Sequence, residues 1–153
     1  MSLELRGPAL LFCPGDRPDR FDKALRAADL VLLDLEDGVG AGAKAIARDA
    51  VEHALPRLGS RAVVRVNARG TAEHEADVAM LRRAGATTLM LPKTASAADL
   101  DDLDGFEVIA LCETAAGITN ATEIARHPRC AALFWGGEDL IADLGGRSSR
   151  GRD

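Results

Sequence analysis

Short apolar runs alternate with longer alanine-rich stretches along most of the chain. The runs predict strands at Ala9–Cys13, Leu30–Leu35, Ala62–Val66, Thr88–Leu91, Val108–Cys112 and Leu133–Trp135. They are brief and continuously apolar, which suits parallel strands buried on both faces. The stretches between them predict helices at Asp19–Ala28, Ala41–Leu55, Ala72–Ala84, Ala97–Leu103 and Ala116–His127. Thr71 and Ser96 stand where N-caps belong, and Gly59, Gly85 and Gly105 where helices end. Pro128 must stop the helix before it. This alternation predicts an α/β fold with a mainly parallel sheet. Two architectures meet the pattern. A flavodoxin-like doubly wound sheet is complete with five or six strands, whereas a (β/α)8 barrel needs eight units and typically about 250 residues. Length and spacing favour the first, and the polar residues at the strand ends favour the second.

The composition narrows the class. The chain has 153 residues, the length of one ordinary domain, and is 47% hydrophobic and 28% charged, which excludes wholesale disorder. No apolar run approaches the roughly 20 residues of a membrane-spanning helix. Met1–Gly7 lacks the apolar stretch of a secretory signal. A net charge of −5 with 3% aromatic residues argues against a nucleic-acid partner, which would call for a basic face. Cys13, Cys112 and Cys130 form no C-x-x-C spacing and read as small buried residues in a reducing, cytoplasmic setting.

Candidate chemistry collects where each predicted strand ends. The first strand runs into Pro14-Gly15-Asp16-Arg17, and the second carries Asp34, Glu36 and Asp37. The third carries Arg65 and Asn67, and the fourth leads to Lys93. The fifth leads to Glu113 and Thr114, and the sixth to Glu138 and Asp139. In a barrel all these groups would converge on one mouth. No histidine belongs to the set: His53, His74 and His127 fall on helices or helix ends, which disfavours zinc and a Ser-His-Asp triad. Carboxylates without His or Cys are the ligand set of a hard cation. Mg2+ typically takes one or two of them and completes its octahedron with water and substrate oxygens. Glu113 and Asp139, read as closing adjacent strands, are the candidate ligands. The stretch Gly38–Ala43 fits G-x-G-x-x-A, but Glu36 and Asp37 would repel phosphates there, so it reads as a flexible loop into a helix. Arg17, Arg20, Lys23 and Arg26, spaced by three, predict one basic helical face able to hold an anionic ligand such as a nucleotide diphosphate. Arg6 and the run Arg147, Arg150 and Arg152 are assigned no role.

The motifs resemble a known family. LFCPGDRPDRFDKA (Leu11–Ala24), LDLEDGV (Leu33–Val39), Lys44 and Arg48, VRVN (Val64–Asn67), LPK (Leu91–Lys93), CETAAG (Cys112–Gly117) and WGGEDL (Trp135–Leu140) occur in this order. Together they resemble the citrate lyase β-subunit-like proteins of the HpcH/HpaI aldolase group. The resemblance implies a TIM barrel and Mg2+-dependent lyase chemistry on a coenzyme A thioester. The reaction would cleave or form the C–C bond of a 3-hydroxyacyl-CoA of citryl, malyl or citramalyl type. It implies metal ligands at Glu113 and Asp139, substrate contacts from Arg65, Glu113 and Gly137, and catalytic roles for Arg65, Glu36 and Asp37. It also implies CoA-phosphate contacts from Arg17, Arg20 and Lys23, and a homo-oligomer, trimer or hexamer. Ala95 stands where close relatives commonly carry glutamate, and Gly137 where alanine is more usual.

The predicted strands start about 25 residues apart, so eight units would need roughly 200 residues. By this spacing residues 1–153 read as one partial TIM-barrel domain, cut after about six strands, and the resemblance implies that its last strands and a lid segment are absent. Gly145–Ser149 reads as the middle of a loop. A metal-dependent 2-keto-acid aldolase of the same group, and an inactive or scaffold subunit, remain the competing expectations.

Overall fold

The computed structural model describes Leu3 and residues 5–147; Ser148, Ser149, Arg150 and Arg152 lie outside them. Six strands form one sheet: β1 (Leu10–Pro14), β2 (Leu30–Asp34), β3 (Ala62–Arg65), β4 (Thr88–Leu91), β5 (Glu107–Cys112) and β6 (Cys130–Trp135). All neighbouring pairs are parallel, and the order is β1-β2-β3-β4-β5-β6, without a crossover. The reversal that defines a flavodoxin-like sheet is absent among the described residues, so that architecture is excluded.

The two faces of the sheet explain the shape. One face packs against the helices α1 (Phe21–Ala27), α2 (Lys44–Leu58) and α3 (Ala72–Arg83). On α2 the buried residues Ala47, Val51, Ala54, Leu55 and Leu58 form a stripe at helical spacing, met by Val31, Leu33 and Val64 from the strands. The opposite face is built from strand residues: Leu30, Leu32, Val63, Met90, Ile109 and Leu111. Leu3, Leu10, Ala132 and Phe134 pack onto it. A doubly wound fold would carry helices there. Sequential parallel strands with helices on one side are the arc of a (β/α)8 barrel, and this sheet is not closed. β2 is buried at all five positions, whereas edge strand β6 alternates and leaves Leu133 and Trp135 exposed.

Local departures from the sequence pattern have identifiable causes. The helix expected over Ala97–Leu103 is a single 3-10 turn, Ala97–Leu100. Asp101, Asp102 and Asp104 follow it, and acidic residues at a helix C-terminus oppose its dipole. The Asp99 carboxylate caps the turn, accepting from the backbone N–H groups of Ala95 and Ser96 at 2.8 Å each. The helix expected over Ala116–His127 is two, α4 (Ala115–Thr119) and α5 (Ala121–Arg126). They break at Asn120, whose side-chain amide donates to the Ala95 carbonyl at 2.9 Å. The short helix α6 (Gly137–Asp143) was not legible in the pattern. Thr71 caps α3 as expected, accepting from His74 N at 3.1 Å. Gly59 and Gly85 take positive φ where α2 and α3 end.

Gly117 lets α4 lie against the loop after β4, because a Cβ on it would meet the Thr94 carbonyl at 2.3 Å. Gly117→Ala is therefore expected to destabilise the chain by roughly 1–3 kcal/mol, the usual range for overpacking. Urea denaturation measures this, and an unchanged midpoint would show that the loop yields freely.

Candidate active site

Polar residues at the ends of β2, β3, β4 and β5 converge, whereas Asn67 turns to Asp77 on α3. Asp34 and Arg65 occupy paired register positions on β2 and β3. Arg65 donates to Asp34 through Nε at 2.8 Å and Nη2 at 2.6 Å, a bidentate pair that is nearly buried. Asp34 also accepts from Glu36 N at 2.9 Å and Gly38 N at 2.8 Å. The carboxylate thus folds the turn after β2 around itself. Gly38 is required there, since a Cβ would stand 2.5 Å from Asp34 Oδ2. Burial pushes the Asp34 carboxyl up, but the Arg65 hydrogen bond and charge with the two backbone donors outweigh it, leaving it below its ordinary value.

The turn presents Glu36 and Asp37. Glu36 is buried between two cations: it pairs with Lys93 Nζ and lies 3.0 Å from Arg65 Nη1. Glu36 Oε2 is buried without a hydrogen-bond partner, so the Arg65 approach is a charge contact without donor geometry. Burial raises the Glu36 carboxyl above its ordinary value, although the Lys93 hydrogen bond and the Arg65 charge oppose it. Asp37 is more exposed, 3.9 Å from both Arg65 Nη1 and Lys93 Nζ. Lys44 braces the turn from α2, its Nζ donating to the carbonyls of Leu35 at 2.6 Å and Glu36 at 2.7 Å.

Glu113 follows β5 and is almost fully buried. Its Oε1 accepts from Lys93 N at 3.0 Å. Burial pushes its pKa up to about 7; the Lys93 hydrogen bond opposes this, and the charges of Glu36 and Asp139 add to it. Asp139 does not close a strand, contrary to the sequence reading. It sits in the first turn of α6, and that turn brings it to the cavities that Glu113 lines. One cavity, of about 360 Å³, is lined by Asp37, Lys93, Glu113, Asp139 and Asp143 among others. A second, of about 630 Å³, adds Phe12, Arg65, Phe134 and Gly137. Arg65 lies over the Phe12 ring at 4.9 Å. The two glycines before Glu138 differ sharply. A Cβ on Gly136 would meet Glu113 Oε2 at 2.6 Å, whereas one on Gly137 would meet nothing within 4 Å.

This donor set fits a hard divalent cation. Among the described residues no group of three His, Cys, Asp or Glu is arranged around one point. Glu113 and Asp139, which line the same cavities, are the carboxylates that could hold Mg2+, an ion that takes one or two protein carboxylates and leaves its other positions to water and substrate. Glu113, raised by burial and further by the charges of Glu36 and Asp139, has one backbone hydrogen bond on its carboxylate, so its charge is under-compensated.

Other expectations fared unevenly. The basic stretch is not one helical face. Arg17 precedes a 3-10 turn, Pro18–Arg20, and only Lys23 and Arg26 lie on α1. Arg17, Arg20 and Lys23 are exposed and line neither cavity, and Arg17 is paired with Asp19 at 3.1 Å. The three cysteines are free; Cys13 and Cys112 are buried and Cys130 partly so. Asp77 was missed. It is fully buried on α3, takes Arg48 Nε at 2.8 Å, and accepts from Asn67 N at 2.8 Å and Asn67 Nδ2 at 2.7 Å. A lone acidic residue on the buried stripe of a helix was the available signal.

Residues 9–153 match the model of HpcH/HpaI aldolase/citrate lyase. The chain belongs to the HpcH/HpaI aldolase/citrate lyase family. Within the family, a citrate lyase subunit beta-like protein of Mycobacterium tuberculosis is 51% identical over 153 residues, all of this chain and 56% of that protein. A (3S)-malyl-CoA thioesterase of Cereibacter sphaeroides is 36% identical over 147 residues, covering 91% of this chain and 52% of the relative. The chain thus spans about half the length of the curated relatives it matches. A crystal structure of protein CitE from Mycobacterium tuberculosis with magnesium and acetoacetate superposes with a TM-score of 0.91 at 50% identity. It covers all of this chain and 64% of that one. Another, with magnesium, acetoacetate and coenzyme A, has a TM-score of 0.88 at 51% identity, covering 96% and 55%.

The raised Glu113 carboxyl generates a pH test. Its folded value lies above the ordinary 4.5, so between 4.5 and about 7 the folded chain holds this proton better than the unfolded chain. The stability it contributes is present at low pH and lost as pH rises through about 7. In the presence of a chelator, Glu113→Gln is therefore expected to gain stability relative to the parent chain between about pH 5 and about pH 8. Urea denaturation across that range checks this, and a pH-independent difference between the two proteins would refute it.

Proposed function

We propose that this chain carries the metal- and substrate-binding half of a Mg2+-dependent lyase acting on a 3-hydroxyacyl-CoA of citryl, malyl or citramalyl type. The reading is carried by one observation: Glu113 and Asp139 share a cavity with Asp37 and Lys93, and a neighbouring one with Arg65. The magnesium and coenzyme A bound by CitE, and the malyl-CoA chemistry of the thioesterase relative, support it.

Retro-Claisen cleavage removes the proton of the 3-hydroxyl, breaks the neighbouring C–C bond and leaves an acetyl-CoA enolate. Negative charge therefore builds on oxygen. Mg2+ held by Glu113 and Asp139 would supply Lewis-acid stabilisation of that charge. Asp37, open to both cavities, is the carboxylate placed to take the hydroxyl proton. Arg65 offers N–H donors not used by Asp34, held in orientation by the pair and by Phe12 beneath it. Glu36 keeps Arg65 and Lys93 at the rim. Arg17 and Arg20, exposed on the first βα connection, and Lys23, exposed on α1, offer charge to the phosphates of CoA.

Two variants test this. Glu113→Gln is expected to abolish Mg2+ binding by calorimetry while the chain remains folded; unchanged affinity would remove Glu113 from the metal site. Arg65→Lys keeps the charge but loses the planar paired donors. It is expected to lower kcat for acyl-CoA cleavage by roughly 10²–10³, as when one oxyanion donor is removed. Near-normal turnover with reduced thermal stability would leave Arg65 as an ion-pair partner of Asp34. Release of acetyl-CoA distinguishes this reaction from a CoA-independent 2-keto-acid aldolase.

A further inference from the structure

Lys93 holds a position that the reaction above does not use. It combines a positive φ of 53° with a non-glycine side chain, alone in this among the described residues. L-residues avoid that region because Cβ crowds the backbone, so surrounding contacts must hold it. Two contacts do so from opposite ends of the residue. Its backbone N–H donates to Glu113 Oε1 at 3.0 Å, and its ammonium pairs with Glu36, with Asp37 at 3.9 Å. One residue thus bridges the acidic turn after β2 and the buried carboxylate after β5.

The charge around it is lopsided. Asp37, Glu113, Asp139 and Asp143 line the same cavity, and Lys93 is the cation among its lining residues. Arg65, the other nearby cation, is locked to Asp34. Lys93 is different in kind: its side chain, a flexible four-carbon stem ending in the ammonium, is 41% exposed. Several carboxylates in one partly enclosed space repel one another strongly unless a positive charge stands among them.

We propose that Lys93 is the built-in counter-cation of this cavity, offsetting its carboxylates when no divalent cation is bound and opposing the binding of one. The proposal rests on the metal site of the preceding section. It assigns Lys93 neither a nucleophilic nor a substrate-binding role. A positive charge beside the site keeps the metal-free chain folded and keeps the cation exchangeable, two effects with one electrostatic origin.

The test compares the parent chain with Lys93→Met, which keeps the stem and removes the charge, and with Lys93→Arg, which keeps the charge. Each is titrated with MgCl₂ by calorimetry and melted in chelator and in MgCl₂. Lys93→Met is expected to melt below the parent in chelator, to bind Mg2+ roughly tenfold or more tightly, and to show a larger Mg2+-induced rise in Tm. Lys93→Arg should follow the parent. A merely structural lysine would lower Tm equally in both conditions and leave the Mg2+ shift unchanged, which overturns the proposal. Weaker Mg2+ binding by Lys93→Met also overturns it, since Lys93 would then be organising Glu113 and Glu36 as ligands. If Lys93→Met does not fold, Lys93→Gln, uncharged but still able to donate to Glu36, is held to the same outcomes. If neither the parent nor any variant responds to Mg2+, the metal site itself falls. A response of the parent that the variants merely reproduce removes the Lys93 role alone.

Discussion

The ion pair between Asp34 and Arg65 joins two neighbouring strands at the level where the sheet meets the loops. Burying two charges carries a desolvation penalty of several kcal/mol per ion, recovered only when the geometry is good and further hydrogen bonds satisfy both groups. Asp34 meets that condition with four: two from Arg65, one each from the backbones of Glu36 and Gly38. The last two tie the pair to the loop. The chain after β2 cannot take another path without stripping Asp34 of donors, so the positions of Glu36 and Asp37 follow from the pair. Lys44 then secures the same turn from the helix side, through the carbonyls of Leu35 and Glu36.

From that anchor outward, burial and charge work against each other. Glu36 and Glu113 are both nearly buried and both raised, yet their partners differ. Glu36 lies between Arg65 and Lys93, so its charge is largely answered within the chain. Glu113 has one backbone donor and acidic company. The site is graded, from a fully paired carboxylate at Asp34, through Glu36, to an under-compensated one at Glu113. Chemistry that needs a metal belongs at the under-compensated end.

Much of this was legible in the residues because hydrophobic runs are local. All six strands lie where the apolar runs put them, within a residue or two for the first five. β6 starts earlier, at Cys130, where half-buried and exposed residues alternate along an edge strand and leave no continuous apolar run to mark it. The convergence of strand-end polar groups was also legible, since parallel strands carry their C-termini to one side. What the pattern did not contain was pairing across distance. Arg48 and Asp77 stand 29 positions apart and meet only once α2 and α3 pack. Asp34 was visible as a strand-end acid, but its hold on Arg65 depends on strand register. Asp139 was assigned to the wrong kind of element because Gly136 and Gly137 hide a helix start. The basic stretch after β1 failed for a similar reason: Pro18 permits a 3-10 turn, and a spacing of three residues marks one helical face only where the helix is continuous.

Gly136 and Gly137 are neighbours of identical chemistry with unequal freedom. Gly136 is the surface against which the Glu113 carboxylate rests, and any side chain there would take the volume the carboxylate now fills. Gly137 faces open space. Packing should therefore filter variation at the first position and leave it free at the second, where a side chain would enter the larger cavity. A random library read at this dipeptide would show depletion on one side of a peptide bond and tolerance on the other. The asymmetry records, in the smallest residue, the outline of a group that the mouth of the sheet must keep in place.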